Sequence, residues 1–272
     1  MGYPSPYALI ALDLDGTTVK SDGTVSASVK EAVQECIRRH IAVIIATGRM
    51  PQSAKRYWEE LNLPPGPLVA FQGAMVVWVP EGRIQSKVAL PDGSARRVVK
   101  WALEQDLLIQ VYVGTELWVS REDPRVRRYI DANHIPAWVL GPDEIIDWPE
   151  APIKVLLQDD ARVLDRLRGD LQNRLNADPV RIFKSQADYL EVVNVDVGKA
   201  KGLKAAAQAL GIPREQVLAI GDAENDIDML TWAGLGIAMG QAPDVVKRAS
   251  DGVTDPIGAD GAARALEKWV LS

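Results

Sequence analysis

Cysteine is almost absent from this 272-residue chain: Cys36 stands alone, which excludes an internal disulfide and any multi-cysteine metal site. Histidine is as scarce, with only His40 and His134, so a His-rich zinc site is not expected. No apolar run approaches the roughly 20 residues that span a bilayer. The opening Met-Gly-Tyr-Pro-Ser-Pro lacks the basic stretch and long apolar segment of a signal peptide. An excess of positive charge is missing too, since Lys plus Arg total 31 against 37 for Asp plus Glu, a net charge of −6. No broad basic surface is implied, and a nucleic-acid backbone is a poor partner. The expectation is a soluble, cytoplasmic protein with neither a nucleic acid nor a membrane as partner. What is present is a globular composition, 47% hydrophobic and 25% charged, long enough for one large domain or two ordinary ones.

The first 75 residues alternate strand and helix patterns. Tyr7 to Leu12 is nearly all apolar, as a strand buried on both faces should be. Val29, Ala32, Val33, Cys36 and Ile37 follow helical spacing, with Ser28 and Glu31 placed for a capping box. Ile41 to Ala46 reads as a second buried strand, and Pro51 opens a helix that Pro64 and Pro65 stop. Leu68 to Ala70 reads as a third strand. This β-α-β-α-β order predicts a parallel sheet wound with helices.

After Val79 the pattern changes to hairpins and amphipathic helices. Met75–Val79 and Ile84–Val88 flank a turn, a helix runs from about Ser94 to Glu104, and Leu107–Val113 pairs with Glu116–Ser120 around Gly114-Thr115. Ile153–Leu157, a helix over Ala161–Leu175, and a second hairpin at Val180–Phe183 and Tyr189–Val193 follow. Trp78, Trp101, Trp118, Trp138 and Trp148 fall in or beside this α+β segment and are assigned to its core. From Lys199 the wound pattern returns through Leu235–Ala238 to a last helix at 260–270. The fold class is therefore α/β, a Rossmann-like parallel sheet core over 1–82 and 194–272, interrupted by an inserted α+β domain over 83–193.

Chemistry concentrates where strands end. Leu9 to Thr18 delivers Asp13 and Asp15 at the carboxyl end of a buried strand, the end at which open α/β sheets bind ligands. Residues two apart in extended chain face the same way, so both can address one site. An isolated Asp-x-Asp-Gly is equally a strand-capping turn. A second strand, Val217–Ile220, ends in Gly221-Asp222, followed by Ala223-Glu224-Asn225-Asp226 at a helix start, where Asx residues also serve as caps. If Asp13, Asp15, Asp222 and Asp226 share a site, each pair at ~5 Å repels by about 3 kcal/mol at an effective dielectric of ~20. Such a cluster requires a cation, and hard oxygen ligands favour Mg²⁺. Ile44-Ile45-Ala46 runs into Thr47-Gly48-Arg49, where a hydroxyl and backbone N–H groups can hold a phosphate oxygen. Lys199 stands at a helix N-terminus, against the helix dipole, which points to an anion beside it.

Taken together, these segments resemble the haloacid dehalogenase superfamily, in its Cof-type, sugar-phosphatase-like branch. Asp13-Leu14-Asp15-Gly16-Thr17 is similar to the family's first motif, Thr47-Gly48-Arg49 to its second and Lys199 to its third. Gly221-Asp222-Ala223-Glu224-Asn225-Asp226 is similar to its fourth. The resemblance implies a Mg²⁺-dependent phosphatase acting on a small phosphorylated metabolite, expected to be a sugar phosphate. It makes Asp13 the nucleophile of a phosphoaspartyl intermediate and Asp15 the general acid and base. It assigns Mg²⁺ to Asp13, the Asp15 carbonyl, Asp222 and Asp226, and the phosphoryl group to Thr47, Gly48, Arg49, Lys199 and Asn225. The long insert between Thr47 and Lys199 corresponds to the branch's α+β cap, which can exclude water and choose the leaving group. The insert's Arg121–Arg128 stretch and Lys184 read as solvated surface charge, the alternative being contact with an anionic leaving group. Departures fall at Gln72 and Gln241, where the family often carries Asn. A phosphomutase, a glycosyl-phosphate phosphatase on the same scaffold, and a binding module without turnover are the alternative readings.

Overall fold

The computed structural model describes residues 5–133 and 135–272, so His134 lies outside the described residues. The chain divides into two compact units, Met1–Ser86 with Gly198–Ser272, and Lys87–Val197. Both boundaries fall later than the expected 83 and 194. The reason is strand pairing: Arg83–Lys87 completes a three-stranded sheet with Gly66–Ala70 and Met75–Val79, and the strand Tyr189–Asn194 belongs wholly to the second unit.

The first unit is built on a five-stranded sheet in the order Gly252–Val253, Leu235–Ala238, Val217–Gly221, Leu9–Leu12, Ala42–Ile45. Every neighbouring pair is parallel. The strand Leu9–Leu12 is buried at all four positions, which is why its sequence shows no polar alternation. Its partners bring Ile220 and Ile45 level with Leu12, so residues 13, 46–47 and 221–222 emerge together at one sheet edge. Helices Ala27–Arg38, Pro51–Glu60 and Lys199–Ala209 bury apolar stripes, among them Val29, Val33 and Cys36 on the first. The cap of that first helix is Ser26, whose Oγ accepts from Val29 N at 3.3 Å, rather than the expected Ser28. Residues 17–25 form an irregular loop that turns at Asp22-Gly23, closed by Lys20 N donating to Thr24 O at 2.9 Å.

The second unit carries a six-stranded sheet in the order Val180–Gln186, Tyr189–Asn194, Lys154–Gln158, Leu108–Val113, Glu116–Val119, Ala137–Val139. Its pairs are antiparallel except the last, which is parallel. Helices Asp92–Glu104 and Ala161–Arg174 cover one face and share a core with Trp101 and Trp148. Trp138 departs from its expected place in the core: it is 54% exposed, because it sits on the short edge strand Ala137–Val139 with a neighbour on one side only. That strand and the helix Pro124–Asn133 are absent from the sequence reading, and the helix's sequence, PRVRRYIDAN, shows too few apolar residues to signal itself. The basic residues of this region are engaged locally: Arg121 with Asp106, Arg125 with Asp123, Arg127 with Glu122, and Lys184 with Asp165. Among the described residues, no helix is long and apolar enough to cross a membrane.

Burial pushes the Cys36 thiol up to about 11, and the side chain is fully covered. At pH 8 the native protein therefore holds almost no Cys36 thiolate. A disulfide reagent is expected to label native protein more than about a hundredfold slower than urea-unfolded protein; equal rates would show that the first helix does not bury its apolar face.

Candidate active site

The sheet's carboxyl edge gathers side chains from four distant segments. Asp13 extends the central strand by one residue, its N–H donating to Ile220 O at 3.0 Å. The chain then turns sharply, with Thr17, Thr18 and Val19 all donating backbone N–H groups to Leu14 O. The Thr18 hydroxyl donates to Asp13 O at 2.6 Å. Because the chain turns directly after Asp13, Asp13 and Asp15 do not share one environment. Asp13 is 5% exposed, whereas the Asp15 side chain is 59% exposed.

Lys199 is the centre of the buried part. Its ammonium, itself fully covered, lies 2.5 Å from Asp13 Oδ1 and 2.5 Å from Asp226 Oδ1. Burial alone would lower the Lys199 pKa, but the Asp13 and Asp226 carboxylates outweigh it, and the pKa is raised. The lysine stays cationic. Burial raises the Asp13 carboxyl well above the usual range, with Lys199 opposing and Asp226 and Asp222 adding to the rise. Asp222 is likewise pushed up to about 6, first by burial and then by Asp226.

Asp226 is committed on both oxygens. Oδ1 faces Lys199, while Oδ2 accepts the N–H groups of Asp222 and Ala223, each at 3.0 Å. It thereby fixes the loop that presents Asp222. One oxygen from each of Asp13, Asp222 and Asp226 lies within 4.8 Å of the others. Asp15 is not part of this group: its carboxylate is gripped by the Arg49 guanidinium, Nη2 to Oδ1 at 2.5 Å and Nε to Oδ2 at 2.8 Å. Arg49, expected on the phosphate, is thus placed on Asp15, and its guanidinium also lies 5.1 Å from the centre of the Tyr57 ring.

The three clustered acids form an oxygen-only donor set with more negative charge than one lysine offsets. That is the environment a hard divalent cation satisfies. Gly16 keeps room for Asp222 there: its φ is +84° and a Cβ on it would stand 2.3 Å from Asp222 Oδ2. Thr17 Oγ1 donates to Asp222 Oδ1 at 3.2 Å.

The remaining sequence-predicted residues line the same edge. Thr47 is fully buried, and its Oγ1 accepts from Arg49 N at 3.2 Å. Gly48 follows it, packed on Gln72. Asn225 Nδ2 donates to Gln72 Oε1 at 2.9 Å. Sequence reasoning assigns no supporting role to two further residues. Asp228 Oδ2 accepts from Ala200 N at 3.2 Å and so holds the first turn of the Lys199 helix. Gln241 Nε2 donates to Gly16 O at 2.6 Å, and its Oε1 accepts from Ile257 N at 2.9 Å. Asp228 lies two residues beyond Asp226 in an acidic stretch, which was the only available signal.

A model of the haloacid dehalogenase-like hydrolases matches residues 10–266. Among curated proteins, the chain is 29% identical over 275 residues to the 5-amino-6-(5-phospho-D-ribitylamino)uracil phosphatase YitU of Bacillus subtilis (strain 168), covering 97% of each chain. Among solved structures it is similar to a haloacid dehalogenase-like hydrolase from Bacteroides thetaiotaomicron, with TM-score 0.88 and 29% identity over 96% of this chain and 99% of that one. TM0651 from Thermotoga maritima gives TM-score 0.85 and 28% identity, covering 96% and 97%. With the family model spanning nearly its whole length and the four motif segments assembled at one sheet edge, the chain belongs to the haloacid dehalogenase-like hydrolases, in their Cof-type branch.

Proposed function

We infer that the protein is a Mg²⁺-dependent phosphatase that hydrolyses a small phosphorylated metabolite, a sugar or sugar-alcohol phosphate, through a phosphoaspartyl intermediate on Asp13. The observation that carries this reading is the Lys199 ammonium, 2.5 Å from both Asp13 and Asp226, beside Asp222 at the carboxyl edge of the sheet. Relatives named as phosphatases support it, two of them named for a phosphoribityl compound.

Asp13 is the nucleophile. Its carboxylate oxygen attacks phosphorus, and the bond from phosphorus to the leaving oxygen breaks. Asp15 gives its proton to that oxygen, then takes one from the water that attacks the phosphoaspartate, releasing phosphate and restoring Asp13. Lys199 holds the Asp13 carboxylate in place and faces the transferring group with positive charge. Thr47, Gly48 and Asn225 bind the phosphoryl oxygens, since positioning and charge neutralisation carry most of such a transfer. Asp13, the Asp15 carbonyl and Asp222 would hold Mg²⁺, with Asp226 fixing the loop that bears Asp222. When bound, the ion supplies positive charge to the phosphoryl oxygens and offsets the clustered carboxylates.

Arg49 has a role in the second half of the cycle. A carboxylate in a two-pronged pair accepts on both oxygens, so the observed grip fits the ionised, base form of Asp15. To carry a proton, Asp15 must release one prong. Arg49 therefore orients the acid–base group rather than the phosphate.

Three outcomes are expected. Phosphate release from p-nitrophenyl phosphate and a panel of sugar phosphates should vanish in EDTA, return with Mg²⁺, and fall at least about a thousandfold in Asp13→Asn. Undiminished turnover in Asp13→Asn would remove the intermediate. Arg49→Lys, which loses the fork, should lower kcat by about 10- to 100-fold with KM little changed; a raised KM with kcat preserved would put Arg49 on the substrate instead. Gly16→Ala should raise the Mg²⁺ concentration for half-maximal activity by about tenfold or more, because the added methyl displaces Asp222; an unchanged metal requirement would exclude Asp222 from the ion's ligands.

A further inference from the structure

Next to the phosphoryl-binding loop lies a backbone conformation that local preference does not explain. Phe71, Gln72 and Gly73 all have positive φ, at 51°, 59° and 89°. Two consecutive non-glycine residues in the left-handed region are uncommon and costly, and such strain persists only where the surroundings over-determine it. Here they do. Phe71 N donates to Arg49 O and Gln72 N to Thr47 O, each at 3.0 Å. A Cβ on Gly73 would stand 2.0 Å from Gly198 O, so the turn is wedged against the start of the Lys199 helix.

The strained turn aims one side chain inward. Gln72 is 8% exposed, and its carboxamide spans two of the proposed phosphoryl contacts. Oε1 accepts from Asn225 Nδ2 at 2.9 Å. The other end lies against Gly48, so closely that a Cβ there would be 2.4 Å from Gln72 Nε2. Asn225 is exposed, on the turn Glu224–Asp226, and an exposed carboxamide is free to rotate unless held.

We propose that Gln72 is a positioning residue for phosphate: it orients the Asn225 carboxamide and backs the Thr47–Gly48 loop, with the left-handed turn 71–73 as its mount. The inference rests on the reading that Thr47, Gly48 and Asn225 receive the phosphoryl group. It assigns the strain at 71–73 to ligand geometry rather than to fold stability.

The test uses the full chain and titrates inorganic phosphate calorimetrically in the presence of Mg²⁺, alongside urea unfolding. Gln72→Gly accepts the left-handed backbone but has no side chain. Gln72→Asn also tolerates it and is one methylene too short to reach Asn225. Both should keep or raise the unfolding midpoint while binding phosphate about five- to tenfold more weakly. In hydrolysis the same change should appear in KM more than in kcat. In an Asn225→Ala background, Gln72→Gly should change phosphate affinity less than about twofold, because residues that act through one another are not additive. Affinity within twofold of wild type in both single variants overturns the proposal. So does a loss that persists at full size without Asn225, or one matched by a falling unfolding midpoint. Wild-type protein that binds no phosphate overturns it as well. Protein that binds phosphate but hydrolyses no ester removes the proposed reaction, while the titrations still decide the role of Gln72.

Discussion

One buried cation organises the active edge of the sheet. The Lys199 ammonium has no exposure of its own and is shared between Asp13 and Asp226. An unpaired charge in that position would be strongly unfavourable, and so would the two acids without it. A lysine in the first turn of a helix is opposed by the helix dipole, so the carboxylates must offset both that opposition and the loss of water. Position and partners of these three groups are therefore fixed together, and removing any one leaves the others uncompensated.

From this centre the constraints spread outward through shared acceptors. Asp226 uses one oxygen for Lys199 and the other for the N–H groups of Asp222 and Ala223, so the loop bearing Asp222 cannot shift without loosening the lysine. Asp228 pins the helix turn that carries Lys199, and Gln241 ties the Gly16 carbonyl to Ile257. The exposed side of the site is managed differently. Asp15 lies near solvent and is held by Arg49 alone among the contacts described above, which suits the acid–base role proposed for it. Rigid inside and exchangeable outside is the division that the proposed nucleophile and acid–base roles demand.

Much of this arrangement was legible in the sequence, for definable reasons. Apolar runs ending abruptly in Asp13, Thr47 and Asp222 mark strands whose carboxyl ends meet, and the order of elements leaves little choice of sheet. Lys199 betrayed its anionic neighbours by standing where a lysine is disfavoured. Contacts fixed by the fold alone left no such trace. That Arg49 grips Asp15, 34 positions earlier in the chain, depends on how two neighbouring strands end, not on any local pattern. Gln72 stood out only as a departure from the family's usual Asn, since a left-handed backbone at a non-glycine position has no sequence signature. Trp138 misled because aromatic character signals burial only where a strand has neighbours on both sides, and the edge strand Ala137–Val139 has one.

The central strand carries a consequence for how the chain is made. Leu9–Leu12 is apolar throughout and pairs on one side with Ala42–Ile45, on the other with Val217–Gly221. During synthesis from the N-terminus, the second partner leaves the ribosome only after some two hundred further residues. Until then a greasy ribbon has an open hydrogen-bonding flank, the kind of surface that recruits stray chains. That open flank persists for as long as the inserted unit is being translated.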